Sequence, residues 1–133
     1  MAHVLVCDDD KLFAALMRRA LQQHSHEVVV AEDAQGARAA LAQAVFDVFV
    51  CDIILPDENG LHLLRDTRQA YPALTLVAAS GGKSAGRSVH VDVLHLAETM
   101  GADAVVKKPF ELSNFVATVE SALLKHRLKH PAA

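Results

Sequence analysis

The sequence predicts an α/β fold whose core is an open, doubly wound parallel sheet of five strands. Five short apolar runs alternate with amphipathic helical stretches, which is the pattern of repeated strand–helix units. Most of these runs are apolar at consecutive positions, as expected of strands that helices cover on both faces. The 133 residues suffice for one such domain, whereas a β/α barrel needs roughly twice that length.

The strands are placed by the apolar runs themselves. We predict them at His3–Cys7, Val28–Ala31, Asp47–Cys51, Leu74–Ala78 and Ala104–Val106.

The helices follow from apolar residues at helical spacing and from residues that begin or end helices. The first helix repeats apolar residues opposite Arg18 and Arg19, and these are Leu12, Phe13, Leu16, Met17, Ala20 and Leu21. The second spans about Ala34 to Ala44, and the third begins after Asn59-Gly60 and ends before Tyr71-Pro72. The fourth ends at Met100-Gly101, where glycine suits a left-handed cap. The fifth has one apolar face, formed by Leu112, Phe115, Val116, Val119 and Leu123.

The domain boundaries and composition describe one small unit. We predict a single domain over residues 1–126 and a frayed basic tail over residues 127–133.

A net charge of −3 gives no basic face for nucleic acid, and no apolar run approaches the ~20 residues that span a membrane. The chain start lacks the features of a signal peptide. Cys7 and Cys51 lie in apolar runs and are expected to be buried free thiols, so we expect a cytoplasmic protein.

Chemically active side chains follow the strand ends. Ligands of open α/β sheets bind beyond the carboxyl ends of the strands. The side chains predicted to meet there are Asp8, Asp9, Asp10, Asp52, Ser80, Lys107 and Lys108. Clustered carboxylates repel one another, and a hard divalent cation such as Mg²⁺ or Mn²⁺ relieves that repulsion. A cation beside an ammonium and a hydroxyl can hold a phosphoryl group, for which one of the acids would be the nucleophile. Strand ends alone do not choose which acid it is.

Each of these residues has a simpler structural interpretation. The acids at 8–10 could cap the first helix, Asp52 could form the turn that follows it, and Lys108 could be a solvated strand end. Their joint occurrence at the ends of strands one, three and five favours a site.

Four motifs resemble those of response-regulator receiver domains, the phosphoacceptor domains of bacterial two-component and phosphorelay systems. They are VLVCDDD, DVFVCDIILPDENG, LVAASGG and GADAVVKKPF, in the family's order, and the resemblance extends from about His3 to Leu124. The resemblance implies a flavodoxin-like (βα)5 fold with strand order 2-1-3-4-5.

The resemblance also implies roles for individual residues. Asp52 matches the aspartate that accepts a phosphoryl group from phosphohistidine, and Asp8 and Asp9 match the acids that hold Mg²⁺. The backbone carbonyl of Ile54 matches a further metal ligand, together with Asp52. Ser80 matches the switch hydroxyl, and Lys108, directly before Pro109, matches the family's lysine.

The implied partners are a histidine kinase or histidine phosphotransferase and a downstream protein, with no direct contact to nucleic acid or membrane. We expect a monomer or weak homodimer that is not an enzyme beyond its own phosphotransfer and slow autodephosphorylation. The fourth helix, fifth strand and fifth helix would deliver the signal.

Two departures from the family affect how the signal would be transmitted. Val105 stands where the family usually has an aromatic residue that turns inward on phosphorylation. The segment after Ser80 is long and glycine-rich, which predicts a mobile loop over residues 81–91 and a fourth helix that starts near Asp92. Our hypothesis is that this loop carries the signal instead of an aromatic ring.

Other functions remain as alternatives. One is a binding module that no longer depends on phosphorylation, and another is a phosphate sink. A Mg²⁺-dependent phosphohydrolase usually needs an acid two residues after its nucleophile, where this chain has Ile54. A superficial P-loop pattern after Ser80 lacks its first glycine, because Val77 holds that place.

Overall fold

A computed structural model describes residues 1–80 and 95–129. The strands are β1 (His3–Cys7), β2 (Glu27–Ala31), β3 (Val48–Asp52), β4 (Thr75–Ser80) and β5 (Ala104–Lys107). The helices are α1 (Lys11–Gln23), α2 (Ala34–Gln43), α3 (Gly60–Ala70), α4 (helical residues 95–99) and α5 (Leu112–Lys129).

The five strands form one parallel sheet in the order β2-β1-β3-β4-β5. This confirms the predicted fold class and strand order. Successive residues of β3 point to opposite faces, and all five are buried, because helices cover both sides of the sheet. One apolar cluster includes Phe49, Leu63 and Leu64, on the side of α2 and α3. The other includes Met17 and Phe115, on the side of α1 and α5.

Short polar side chains begin three of the helices. Asp10 accepts a hydrogen bond from the backbone N–H of Phe13, Asp33 from that of Gly36, and Asn59 from that of Leu61. These N-caps satisfy first-turn amides that have no partner within the helix. The sequence alternative that the acids at 8–10 cap the first helix is therefore correct for Asp10.

The structure corrects the predicted burial of α1. Leu12 and Leu16, placed on the apolar face by their spacing, are 72% and 40% exposed. The buried residues of this helix are Ala14, Met17, Ala20 and Leu21. These buried residues face the sheet. Residues 12 and 16 lie about 140° and 100° away from Met17 around the helix axis, so they point away from the sheet.

Several element ends differ from the predicted ones by one or two residues. Strand β3 includes Asp52 but not Asp47, and β4 extends to Ser80. Gly101 has φ +113° and its N–H donates to the carbonyl of Glu98, as expected of the left-handed cap. Helix α5 continues through residues 127–129 of the predicted tail. The predicted loop 81–91 and the helix start near Asp92 lie outside the described residues.

Cys7 and Cys51 are directly opposite each other on β1 and β3 and are both buried, as predicted. A hydrogen bond with Cys7 and burial raise the pKa of the Cys51 thiol well above its usual value, which keeps it protonated and unreactive.

Candidate functional site

The end of β1 supplies two acids to the carboxyl edge of the sheet. Asp8 is buried, at 1% exposure, and its Oδ1 accepts a hydrogen bond of 2.9 Å from the N–H of Asp10. Asp9 is exposed. Because Asp10 is occupied as the cap of α1, Asp8 and Asp9 are the members of this acidic run that face the site.

The end of β3 supplies the third acid. Asp52 is 6% exposed, and its Oδ1 accepts a hydrogen bond of 3.0 Å from the N–H of Ile54. Burial raises the pKa of this carboxyl above its usual value, even though Lys108 and the Ile54 amide act to lower it.

Lys108 joins the acids of β1 and β3. Its Nζ lies 2.6 Å from Oδ2 of Asp8 and 3.1 Å from Oδ2 of Asp52. Burial alone would lower the pKa of Lys108, but the two carboxylates outweigh it and raise the pKa, so the ammonium stays charged. Its neighbour Lys107 is exposed at the end of β5. The structure therefore places Lys108, and not Lys107, in the site.

The oxygen atoms of the three acids are close enough to share a metal ion. One carboxylate oxygen from each of Asp8, Asp9 and Asp52 lies within 4.8 Å of the other two. A set made only of oxygen donors suits a hard cation such as Mg²⁺ or Mn²⁺. The acids outnumber the single ammonium of Lys108, which also favours an added cation. The residues present therefore fit the metal that the sequence predicts.

The loop after Asp52 brings the backbone of Ile54 to the same edge. Ile54 and Asn59 form an isolated antiparallel bridge, closed by a hydrogen bond of 2.9 Å from the N–H of Gly60 to the carbonyl of Ile53. That bond leaves the Ile54 carbonyl out of the pairing. A side chain at position 60 would place its Cβ 2.3 Å from the Ile53 oxygen, so only glycine permits this approach.

Two further predicted positions are only partly described. Ser80 is the last residue of β4 and pairs in register with Lys107, while its side chain lies outside what the structure describes. Val105 packs, partly buried, against the apolar cluster beside α2 and α3.

An aromatic contact that the sequence did not reveal lies below the lysine. The Nζ of Lys108 lies 4.5 Å from the centroid of the Phe13 ring. Phe13 in turn contacts Phe110 edge-on, and Phe110 stacks on Phe115 with ring centroids 5.1 Å apart. A ring face attracts a cation, so this stack helps to hold the ammonium towards the acids. The spacing of Phe13 in α1 predicted only a core residue.

A cavity of about 180 Å³ lies between α1 and β2, with Lys11, Arg18 and Glu32 in its lining. Asp8 also lines it, whereas Asp9, Asp52 and Lys108 do not. A cavity of about 600 Å³ lies at the opposite edge of the sheet, where β3 and β4 begin, with Phe46 and Leu74 in its lining. The acids with Lys108 and the larger cavity therefore lie at opposite ends of the strands.

Comparison with known proteins identifies the family. The family model described as "Response regulator receiver domain" matches residues 4–120. The chain belongs to the response regulator receiver domains. This confirms the resemblance that the four sequence motifs indicated, and members of this family generally bind Mg²⁺, interact with histidine kinases and act in two-component signal transduction.

Among curated relatives, the virulence transcriptional regulatory protein PhoP of Salmonella typhimurium is 33% identical over 129 residues, which are 95% of this chain and 54% of that protein. The DNA-binding transcriptional regulator NtrC of Azospirillum brasilense is 31% identical over 122 residues, which are 92% of this chain and 24% of that protein. The chain thus spans about half the length of PhoP and about a quarter of NtrC.

Solved structures show the same fold. The structure of NtrX from Brucella abortus has a TM-score of 0.87 at 29% identity, over 96% of this chain and 28% of that chain. A CheY-like receiver domain protein from Methanospirillum hungatei has a TM-score of 0.84 at 23% identity, over 97% of this chain and 98% of that chain. Across residues 1–80 and 95–129, none of the helices is both long and apolar enough to span a bilayer.

Proposed function

We propose that this receiver domain accepts a phosphoryl group from a phosphohistidine onto Asp52 and passes the signal on by protein contact. The observation that carries the proposal is the position of Lys108, whose ammonium contacts both Asp8 and Asp52. One oxygen of Asp9 also lies within 4.8 Å of an oxygen of each of these two acids. One end of the sheet therefore combines a nucleophile, the ammonium of Lys108 and a set of metal ligands.

In the transfer step, a carboxylate oxygen of Asp52 forms a bond to phosphorus. The phosphorus–nitrogen bond of the donor breaks, and the imidazole nitrogen keeps the electron pair. The Ile54 amide holds Oδ1 of Asp52 by its hydrogen bond, which fixes the orientation of the nucleophile. The ammonium of Lys108 lies beside Oδ2, where it stabilises negative charge on the transferring group.

The metal site uses residues of this chain only. Asp8, Asp9, Asp52 and the backbone carbonyl of Ile54 would hold Mg²⁺, or Mn²⁺ in its place. When bound, the ion neutralises phosphoryl oxygens and lowers the repulsion between the incoming group and the acids. Slow autodephosphorylation follows from the same arrangement, since water can attack the phosphorus in line.

Transmission of the signal would begin at the end of β4. The Ser80 hydroxyl would donate to a phosphoryl oxygen, and residues 81–91 would carry the signal, because Val105 has no aromatic ring to do so. The output surface would consist of α4, β5 and α5. Comparison of amide hydrogen exchange of residues 81–91 with and without a phosphoryl mimic tests this part. Equal protection in both states would contradict it.

The phosphodonor would be a histidine kinase or histidine phosphotransferase that contacts α1. Leu12 lies two residues after Asp10, in the first turn of α1, and is 72% exposed. An apolar surface of the partner can therefore contact Leu12 while the partner's phosphohistidine faces Asp52. We expect Leu12→Asp to slow transfer from the protein donor and not from a small phosphodonor. Leu128→Asp is the matched control, since Leu128 is 74% exposed at the far end of α5.

The cellular setting is part of the same proposal. Two buried thiols and a phosphohistidine donor fit a cytoplasmic protein. The net charge of −3 does not favour contact with nucleic acid, so we expect no direct DNA binding by this segment. We expect the receiver segment itself to be a monomer or weak homodimer.

The direct test is the mass of the intact protein after incubation with a small phosphodonor. We expect a gain of one phosphoryl group that requires Mg²⁺ and is absent in Asp52→Ala. Glu27→Ala, a change of an exposed acid at the start of β2 and away from the acids of the site, should behave like the wild type. A folded wild type that binds Mg²⁺ but gains no phosphoryl group would contradict the proposal and favour a phosphorylation-independent binding module.

A further inference from the structure

The loop between β3 and α3 carries the backbone of Ile54 and is held at two points. At its base, the Gly60 N–H donates to the Ile53 carbonyl, and Ile54 pairs with Asn59. Its tip, residues 57 and 58, extends towards α2. The base holds Ile53 and Ile54 against the residues that precede α3, and the tip is held by separate contacts with α2.

Asp57 attaches the tip to the N-terminus of α2. Its Oδ1 accepts from the N–H of Ala34 at 2.9 Å, and its Oδ2 from the N–H of Gln35 at 3.0 Å. The hydrogen bond from Ala34, followed by the one from Gln35, lowers the pKa of the Asp57 carboxyl, so the contact is made by a charged group at the positive end of a helix. Asp33 caps the same helix separately, through Gly36 at 2.7 Å.

Glu58 makes a second attachment next to the first. Arg38 of α2 donates from Nε and Nη2 to the two carboxylate oxygens of Glu58, at 3.0 and 2.8 Å. The same guanidinium donates to Asp66 of α3 at 2.9 Å. Two adjacent loop residues are thus bound by α2, one through backbone amides and one through a two-pronged ion pair.

We propose that Asp57 is a positioning residue for the magnesium site. By binding the first turn of α2, it holds the loop so that the Ile54 N–H donates to Asp52 and the Ile54 carbonyl is available to the metal. The inference rests on the proposed function, because it assigns Asp57 to the same site. Asp57 itself lies three residues from Ile54 and acts through the backbone.

The closest control is the other cap of the same helix. Asp57→Ala and Asp33→Ala each remove a carboxylate from the N-terminus of α2, but only the first removes a contact of the β3–α3 loop. If Asp57 matters only for helix stability, both variants should lose metal affinity equally. If it positions the loop, only Asp57→Ala should.

The experiment titrates each protein with Mn²⁺, followed by electron paramagnetic resonance, and with Mg²⁺ by calorimetry. We expect Asp57→Ala to bind about 10-fold more weakly, the lower range seen when groups that orient metal ligands are removed, and Asp33→Ala to bind like the wild type. Equal affinities in all three proteins, or equal losses in both variants, would overturn the inference.

A second measurement needs no variant and covers the case in which Asp57→Ala does not fold. Coupling between two sites is reciprocal, so Mg²⁺ should slow hydrogen exchange at the amides of Ala34 and Gln35 in the wild type. Unchanged exchange at saturating Mg²⁺ would contradict the inference. If the wild type binds neither cation, the proposed metal site itself fails, which is a result distinct from a failure of Asp57 alone.

Discussion

The ammonium of Lys108 lies 2.6 Å from Oδ2 of Asp8, a residue one hundred positions earlier in the chain. This contact ties the loop after β5 to the end of β1, and a second contact at 3.1 Å ties it to Asp52. Both acids are almost completely buried. The stability of the site and its proposed chemistry therefore both depend on the ammonium of Lys108.

Replacing Lys108 by methionine should leave two buried carboxylates without their partner. We expect the free energy of unfolding at pH 7 without Mg²⁺ to fall by about 3 kcal/mol, as when one member of a buried ion pair is removed. The measurement is urea unfolding. The exposed Lys107→Met is the matched control and should change stability by less than about 0.5 kcal/mol. Equal effects of the two variants would show that the Lys108 contacts contribute little.

Gly60→Ala tests the close approach at the base of the β3–α3 loop. The added Cβ would lie 2.3 Å from the Ile53 oxygen, a backbone atom that cannot move alone. We expect a loss of about 2 kcal/mol or more in the free energy of unfolding. At Gly36 the nearest atom to an added Cβ is a side-chain oxygen of Asp33 at 3.1 Å, so Gly36→Ala should change stability by less than about 1 kcal/mol. A small effect at Gly60 would mean that the loop can relax.

Arg68 joins α3 to the segment that precedes β5. Its guanidinium donates to the carbonyls of Gly101, Pro72 and Leu74 and to Asp103 at 2.8 Å. Because this group is partly buried and leaves several acceptors behind, Arg68→Ala should cost about 3 kcal/mol.

The matched control for Arg68 is an exposed arginine of the same helix. Arg65 reaches Asp66 only at 3.6 Å, and its side chain is 49% exposed, so Arg65→Ala should cost less than about 1 kcal/mol. Thermal and urea unfolding would compare the two. A similar loss in both variants would contradict the importance of the Arg68 network.

Acid should weaken the contact between α2 and α3. The hydrogen bond from Arg38 lowers the pKa of Asp66 below its ordinary value of 3.8. A lowered carboxyl pKa contributes stability that is present above the ordinary value and is lost as pH falls through the lowered pKa. Urea unfolding between about pH 5 and pH 3 should therefore show a shallower loss of stability in Asp66→Asn than in the wild type. Identical slopes would show that Asp66 gains nothing from Arg38 in the folded state.

The fold was predictable because its determinants are local. Runs such as Val48–Cys51 are apolar at every position, and glycine at 101 marks a helix end by its backbone freedom. The orientation of α1 was not predictable from spacing. Leu12 and Leu16 are four residues apart, as are Phe13 and Met17, and only the position of the sheet decides which pair faces the core.

The site was predictable where a strand end delivers a residue, and not where a loop or helix brings one from a distance. The acids and Lys108 follow from strand ends and from the resemblance. The sequence did not single out Asp57, because its partners, Ala34 and Gln35, lie more than twenty positions away and offer only backbone amides. Because every residue except proline has a backbone N–H, the sequence does not show which amides bind Asp57. Only the structure identifies this contact.

The central claim is that Asp52 carries the phosphoryl group, and chemical trapping tests it most directly. Borohydride reduces an aspartyl phosphate to homoserine, and peptide mass spectrometry then locates the modified position. After treatment with a phosphodonor and Mg²⁺, the account predicts homoserine at position 52 and at no other acid. Homoserine at position 8 or 9, or at no position in a protein shown to bind Mg²⁺, would contradict it.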